Sequence, residues 1–164
     1  MAALTAARQL NARLAGNPQS APQLANTEIF QGSIVMLDST GRVAPGATAT
    51  GKIGAGVARS NSGTPSWDNN PGADGGLNPF YDEGVFGPFG NSGTSIAVGD
   101  EGKDCYIVDD QTVHRTDGTG TRSPAGRIHS FTSAGVYVEF AASIAREIAE
   151  SQIVSTGVAI TQTF

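Results

Sequence analysis

Three residues in this chain offer thiol or imidazole chemistry: Cys105, His114 and His129. A nucleophilic cysteine needs a histidine to take its proton, and a zinc or copper site needs Cys and His at short, fixed spacings. None of the three stands at such a spacing. Cys105 sits at an alternating position of a predicted strand, where a buried thiol behaves as a small hydrophobe, and as a lone cysteine it has no partner for an intramolecular disulfide. His114, beside Arg115, reads as a cross-strand or surface neighbour rather than a base.

Gly46-Ala47-Thr48-Ala49-Thr50-Gly51-Lys52 has the spacing of a phosphate-binding loop. That loop needs a Ser or Thr hydroxyl next for magnesium, and a helix whose N-terminus faces the phosphate. Here Ile53 follows, and it opens what reads as a strand. The carboxylates of Asp100-Glu101, Asp104 and Asp109-Asp110 are of the type calcium takes, without the alternating ligands and closing Glu of an EF-hand loop. Asp109-Asp110 are better explained as turn formers whose side chains hydrogen-bond nearby backbone. Paired carboxylates acting as acid and base must face each other across a cleft, which spacing alone does not show. The sequence therefore predicts no catalytic residue, no cofactor and no metal ligand.

The elements that would position any such chemistry are mostly strands. Residues 102–140 read as four short strands joined by turns. Cys105, Ile107 and Val113 alternate with Tyr106, Val108 and Thr112; turns fall at Asp109-Asp110-Gln111 and Ser133-Ala134-Gly135. Upstream, Ile34-Val35-Met36-Leu37, the turn Asp38-Ser39-Thr40-Gly41 and Arg42-Val43 form a hairpin, followed by a Thr/Gly loop at 45–51 and a strand at 52–58. The same order recurs loosely about 72 to 75 residues later, with Gly126-Arg127-Ile128 echoing Gly51-Lys52-Ile53, which reads either as a pseudo-repeat of one β-unit or as the way short meanders look.

Between these blocks, residues 61–99 combine Gly, Pro and Asn with Trp67, Phe80, Tyr81, Phe86 and Phe89. Glu83-Gly84-Val85-Phe86 predicts a strand, and residues 61–82 a protruding aromatic loop. Residues 1–28 read as an N-terminal arm: Leu4, Ala7, Leu10 and Leu14 share one face of a short helix, too short to be stable alone in water and so ordered by a partner, the alternative being a helix packed on its own core. Residues 141–164 read as one short helix, with Ile144 and Ile148 on its apolar face, and a tail whose residues 158–164 suit a terminal strand. The expected fold is mainly β: a small barrel or sandwich core of short antiparallel strands at 29–140, with extensions at both ends.

Composition narrows the function classes. The 38% hydrophobic content and the 22 glycines and 8 prolines, 30 of 164 residues, describe a small core with long loops. A net charge of −5 without runs of Lys or Arg argues against a nucleic-acid face. No window approaches the apolar length of a membrane span, and Arg8 and Arg13 interrupt the N-terminal segment in a way a secretory signal does not.

Glu83-Gly84-Val85-Phe86, the run from Gly102 through Val108-Asp109-Asp110-Gln111-Thr112-Val113, the stretch 116–127 and Gly135-Val136-Tyr137-Val138 together resemble the capsid decoration, or head cement, proteins of tailed phages. These also occur in prophages as small β-rich proteins. A weaker likeness covers 32–58, while the Trp67 region and the extension after Phe140 depart from the pattern. The resemblance implies a β-rich, often trimeric protein bound to the outside of an assembled icosahedral shell, made in the bacterial host cytoplasm. Its partners would be the major capsid protein and itself, with no nucleic acid or membrane. The expected contact residues are Leu4, Leu10 and Leu14 in the arm, Trp67, Phe80 and Tyr81 in the loop, and Phe164. Two rival readings remain: a receptor- or glycan-binding β module in which Trp67, Phe80 and Tyr81 stack on sugars, and a small hydrolase using paired carboxylates.

Overall fold

Ile34-Val35-Met36-Leu37 is a continuous apolar run, not an alternating one, because both faces of its strand are covered. Ile34 and Met36 point into one hydrophobic cluster, Val35 and Leu37 into another. The computed structural model describes residues 3–8 and 11–155, with the backbone alone for 11–16 and 154–155. In chain order its strands are β1 (Asn11–Ser20), β2 (Thr27–Phe30), β3 (Ile34–Leu37), β4 (Val43–Pro45), β5 (Ile53–Ala58), β6 (Ser66–Asn69), β7 (Phe80–Asn91), β8 (Asp104–Asp109), β9 (Thr112–His114), β10 (Pro124–Thr132) and β11 (Gly135–Phe140), followed by helix α1 (Ala142–Ser155).

Strands β7, β11, β10, β8 and β9 close a barrel, since β7 pairs with β11 on one side and with β9 on the other. All these pairings are antiparallel except β7 with β9, where Gly90 lies opposite Thr112 in a parallel register. The barrel is filled by Phe86, Phe89, Cys105, Ile107, Val113, Ile128, Val136, Val138 and Phe140, with the Phe89 and Phe140 rings edge to face at 5.6 Å. A wing of β5, β3 and β4 continues from β7. The two-stranded sheet of β2 and β6 takes part in the second cluster, where Ile29 and Trp67 pack with Val35, Val43, Ala55 and Tyr81.

The suggested repeat has a structural counterpart. β3 lies between β4 and β5 as β8 lies between β9 and β10, and Leu37 faces Val43 as Ile107 faces Val113. The mainly β barrel, the two hairpins and the single C-terminal helix are as the sequence predicts.

Two expectations are corrected. The N-terminal segment is not helical at residues 3–8, and β1 pairs antiparallel along β7 from Asn11 opposite Gly87 to Ser20 opposite Phe80. A short helix without tertiary support is marginal, whereas a strand gains a ladder along an edge that already exists. The arm is thus ordered on its own barrel. The 61–82 segment does not simply protrude either: β6 lies inside it, and β7 begins at Phe80. The turn at Asp109-Asp110 forms where the sequence predicts it and folds inward, with both residues buried.

Helix α1 lies against β5 and β10. Ala145 and Ile148 are buried, while Arg146, Glu147 and Glu150 are exposed. The helix is fixed from outside by Glu83, whose Oε1 accepts the Ala142 N–H at 2.9 Å, and by Glu147 on Arg127 at 3.0 Å. An orphan N–H of the first turn is thereby satisfied by a residue far away in sequence.

Candidate functional site

Residues 3–8 cross the barrel end that carries the β8–β9 and β10–β11 turns. The Leu4 N–H donates to Asp110 Oδ1 at 2.7 Å, and Ser33 Oγ donates to Oδ2 at 3.2 Å. The Asp110 carbonyl accepts the Ile34 N–H at 2.7 Å, and the Arg8 N–H donates to the Gln31 carbonyl at 3.0 Å. Asp110, 3% exposed, is thus the anchor between the N-terminal segment, the start of β3 and the β8–β9 turn. Burial raises its carboxyl above the ordinary aspartate value; the bonds from Leu4 and Ser33 oppose that shift and neighbouring Asp109 adds to it. Asp109 itself behaves as the sequence predicts, its Oδ1 accepting the Gln111 N–H at 3.0 Å in an Asx turn.

Arg8 lies over the Phe89 ring, 5.2 Å from guanidinium carbon to centroid, and Nη1 reaches the Pro88 carbonyl at 3.5 Å. Its Nε and Nη2 are buried without a hydrogen-bond partner. Burial lowers its affinity for the proton, while the charges of Asp110 and Asp109 pull the other way. Arg8 lines two open clefts. One, of about 640 Å³, lies between Pro18 of β1, the β2–β3 turn, the end of β5 and the start of β7. The other, about 880 Å³, lies between residues 3–8, Phe89 to Asn91 and the β10–β11 turn.

The first cleft carries the more concentrated chemistry. Arg59 Nε donates to Asp82 Oδ2 at 2.7 Å, Phe80 is 51% exposed beside them, and Asp82 Oδ1 is buried without a donor. The second cleft is floored by Phe89 and Phe131 and rimmed by Thr5, Thr94, Thr132 and Ser133.

Of the residues chosen from sequence as contacts whose side chains are described, only Phe80 stands in the open. Trp67 is buried, with its indole N–H donating to the Arg59 carbonyl at 2.9 Å and its ring 6.0 Å from that of Phe80. Tyr81 is buried in the same cluster because it alternates with Phe80 across β7. Neither is an exposed contact or a sugar-stacking platform. Leu4 is half-buried; Leu14 lies in β1 opposite Val85, with its backbone alone described. Leu10 and Phe164, with the predicted 158–164 strand, lie outside the described residues. Sequence reasoning missed Arg8, Ser33, Arg59, Asp82 and the inward role of Asp110, which are joined only by pairings remote along the chain.

The thiol of Cys105 is fully buried, donates to the Gly126 carbonyl at 3.6 Å, and has its pKa raised by burial and by Asp104 against the opposing effects of Arg115 and Gly126. Such a thiol is inert. His114 lies on β9 with Nδ1 accepting the Thr116 N–H at 3.0 Å. Among the described residues no three His, Cys, Asp or Glu side chains are grouped to hold a metal ion, and no helix is long and apolar enough to cross a membrane. Compared with family models, with curated proteins and with solved structures, the chain finds no match.

Proposed function

We propose that this protein is a viral structural protein that binds the outer surface of an assembled icosahedral capsid and stabilises contacts between major capsid protein subunits. The observation that carries the reading is where the exposed apolar side chains fall. The stretches resembling head cement proteins lie in β7, β8, β9, β10 and β11 and the β9–β10 connection, with the weaker likeness in β3, β4 and β5, so the likeness covers the barrel and its wing. Among the described residues the exposed large hydrophobics are Phe80 at 51%, Val98 at 81% and Ile153 at 44%, all outside those stretches. Exposed apolar side chains set on a rigid β scaffold are suited to anchoring it on another protein's surface.

Cementing is then mass action: a protein that binds the assembled lattice and not free subunits shifts the equilibrium toward the lattice. A trimer would multiply each weak contact by avidity. The test is reconstitution. Capsids lacking the protein, mixed with it and sedimented, should take it up in a fixed ratio to the major capsid protein and resist chaotrope better. Val98→Ser combined with Phe80→Ser should reduce uptake without changing the melting temperature by more than a few degrees. Particle images with the chain present singly in a tail, not repeated over the shell, would reject the proposal.

A further inference from the structure

The cleft beside β7 holds groups that the barrel does not use. The Phe80 ring is propped edge to face by buried Trp67 at an interplanar angle of 61°, and Trp67 is itself pinned by its hydrogen bond to the Arg59 carbonyl. An exposed aromatic surface is therefore held rigidly in place. The Arg59 N–H donates to the Phe80 carbonyl at 2.9 Å, which makes the two side chains cross-strand neighbours on one face. Asp82, two residues along β7, shares that face.

The polar groups are incompletely matched. The Arg59 guanidinium, 49% exposed, spends its Nε on Asp82, and among the described residues its two terminal amino groups have no hydrogen-bond partner. Asp82 Oδ1 lacks a donor, and at the inner end of the cleft Arg8 keeps Nε and Nη2 buried and unpartnered. Two guanidinium groups and one carboxylate line the cleft; Asp110 and Asp109 act on Arg8, so the group offered to a ligand is the outer end of Arg59. Ser60 and Ser62 complete the rim.

An anion is favoured by the exposed terminal amino groups of Arg59. A flat apolar face is favoured by Phe80, and sugar hydroxyls by the accessible Ser60 and Ser62 at the rim. We propose that this cleft binds a carboxylated pyranose, a uronic-acid unit of a polysaccharide. Its carboxylate takes the terminal amino groups of Arg59 as a two-point, charge-assisted pair, its apolar ring face lies on Phe80, and its hydroxyls bond Ser60 and Ser62. The volume of about 640 Å³ lies within the usual range for a ligand site and admits a short oligosaccharide. A neutral sugar lacks the charge-assisted pair, and an acidic peptide lacks the ring of hydroxyls. The assignment does not depend on the capsid role.

The experiment is calorimetric titration of the full chain with tetragalacturonate, a hyaluronan tetrasaccharide, chitotetraose and tetraglutamate. At least one uronic-acid oligomer should bind about tenfold or more tightly than both chitotetraose and tetraglutamate, and Phe80→Ala and Arg59→Gln should each weaken it about tenfold. Amide resonances of Gly32, Ser60 and Ser62 should shift on binding. Phe80→Ala removes an exposed ring and keeps the fold, so it remains informative if Arg59→Gln does not fold. No saturable binding of either uronic-acid oligomer, tetraglutamate binding equally well, or binding indifferent to Phe80→Ala would overturn the proposal.

Discussion

The backbone N–H of Leu4 donates to the carboxylate of Asp110 at 2.7 Å across a separation of 106 residues. That bond fastens the N-terminal segment to the turn between β8 and β9. It also makes a buried acid part of the fold.

Replacing Asp110 tests this anchor and its charge. Burial raises the Asp110 carboxyl, so in the fold its ionised form is disfavoured relative to the unfolded chain. Its contribution is fully present below the unfolded aspartate value of about 3.9 and is lost as pH rises through the higher folded value. Asp110→Asn keeps an oxygen for Leu4 and removes the charge, so its melting temperature relative to the native protein should climb between pH 4 and pH 7. Asp110→Ala strands the Leu4 N–H and should cost about 1–3 kcal/mol at either pH. A pH-independent difference for Asp110→Asn would show that the carboxyl titrates normally.

Asp38 should show the opposite dependence. Burial works to raise its carboxyl, but hydrogen bonds from Arg42 and Thr40 and the charge of Arg42 together lower it to about 2. The stabilisation is therefore present above the unfolded value and lost as pH falls through the folded one. Asp38→Ala should lower the melting temperature at pH 7 by loosening the β3–β4 turn. The gap to the native protein should close as pH approaches 2, as melts followed by circular dichroism would show.

Trp67 and Phe80 touch, yet their substitutions should separate cleanly. Trp67 is buried in the cluster beneath the wing, and Trp67→Ala should cost about 3–5 kcal/mol in urea unfolding. Phe80→Ala, on the exposed side, should cost under about 1 kcal/mol. As the chain has one tryptophan, its emission reports the site directly. It should be blue-shifted in the native protein and move red on unfolding. Emission at the wavelength of free tryptophan would contradict the packing.

Gly54 is needed for space, Gly41 for conformation. A Cβ on Gly54 would collide with the backbone of Ala125 where β5 crosses β10, so Gly54→Ala should destabilise by about 3 kcal/mol or prevent folding. Gly41 has φ +79° with open space around it, so Gly41→Ala carries only the strain of the left-handed conformation, about 1–2 kcal/mol. Equal costs measured by denaturant unfolding would mean that the wing does not pack on the barrel as described.

What this sequence determines by itself is local. Alternation and turn chemistry specify the β3–β4 hairpin, the β8–β9 and β10–β11 pairs and the helix after Phe140, because each is decided by side chains within a few residues of one another. The same local reading places Cys105 at an inert core position. Tertiary structure decides the rest: that β7 closes the barrel by pairing with both β9 and β11, that residues 11–20 become a strand along it, and that Asp110 turns inward. It also decides that Trp67 and Tyr81 are core while Phe80 stays out, since the sheet of β2 and β6 buries Trp67 and the pleat of β7 assigns neighbouring aromatics to opposite faces. Arg8, Arg59 and Asp82 acquire meaning only there. Their juxtaposition rests on strand pairings between distant segments, and a pattern confined to one stretch of chain carries no trace of what another stretch will bring beside it.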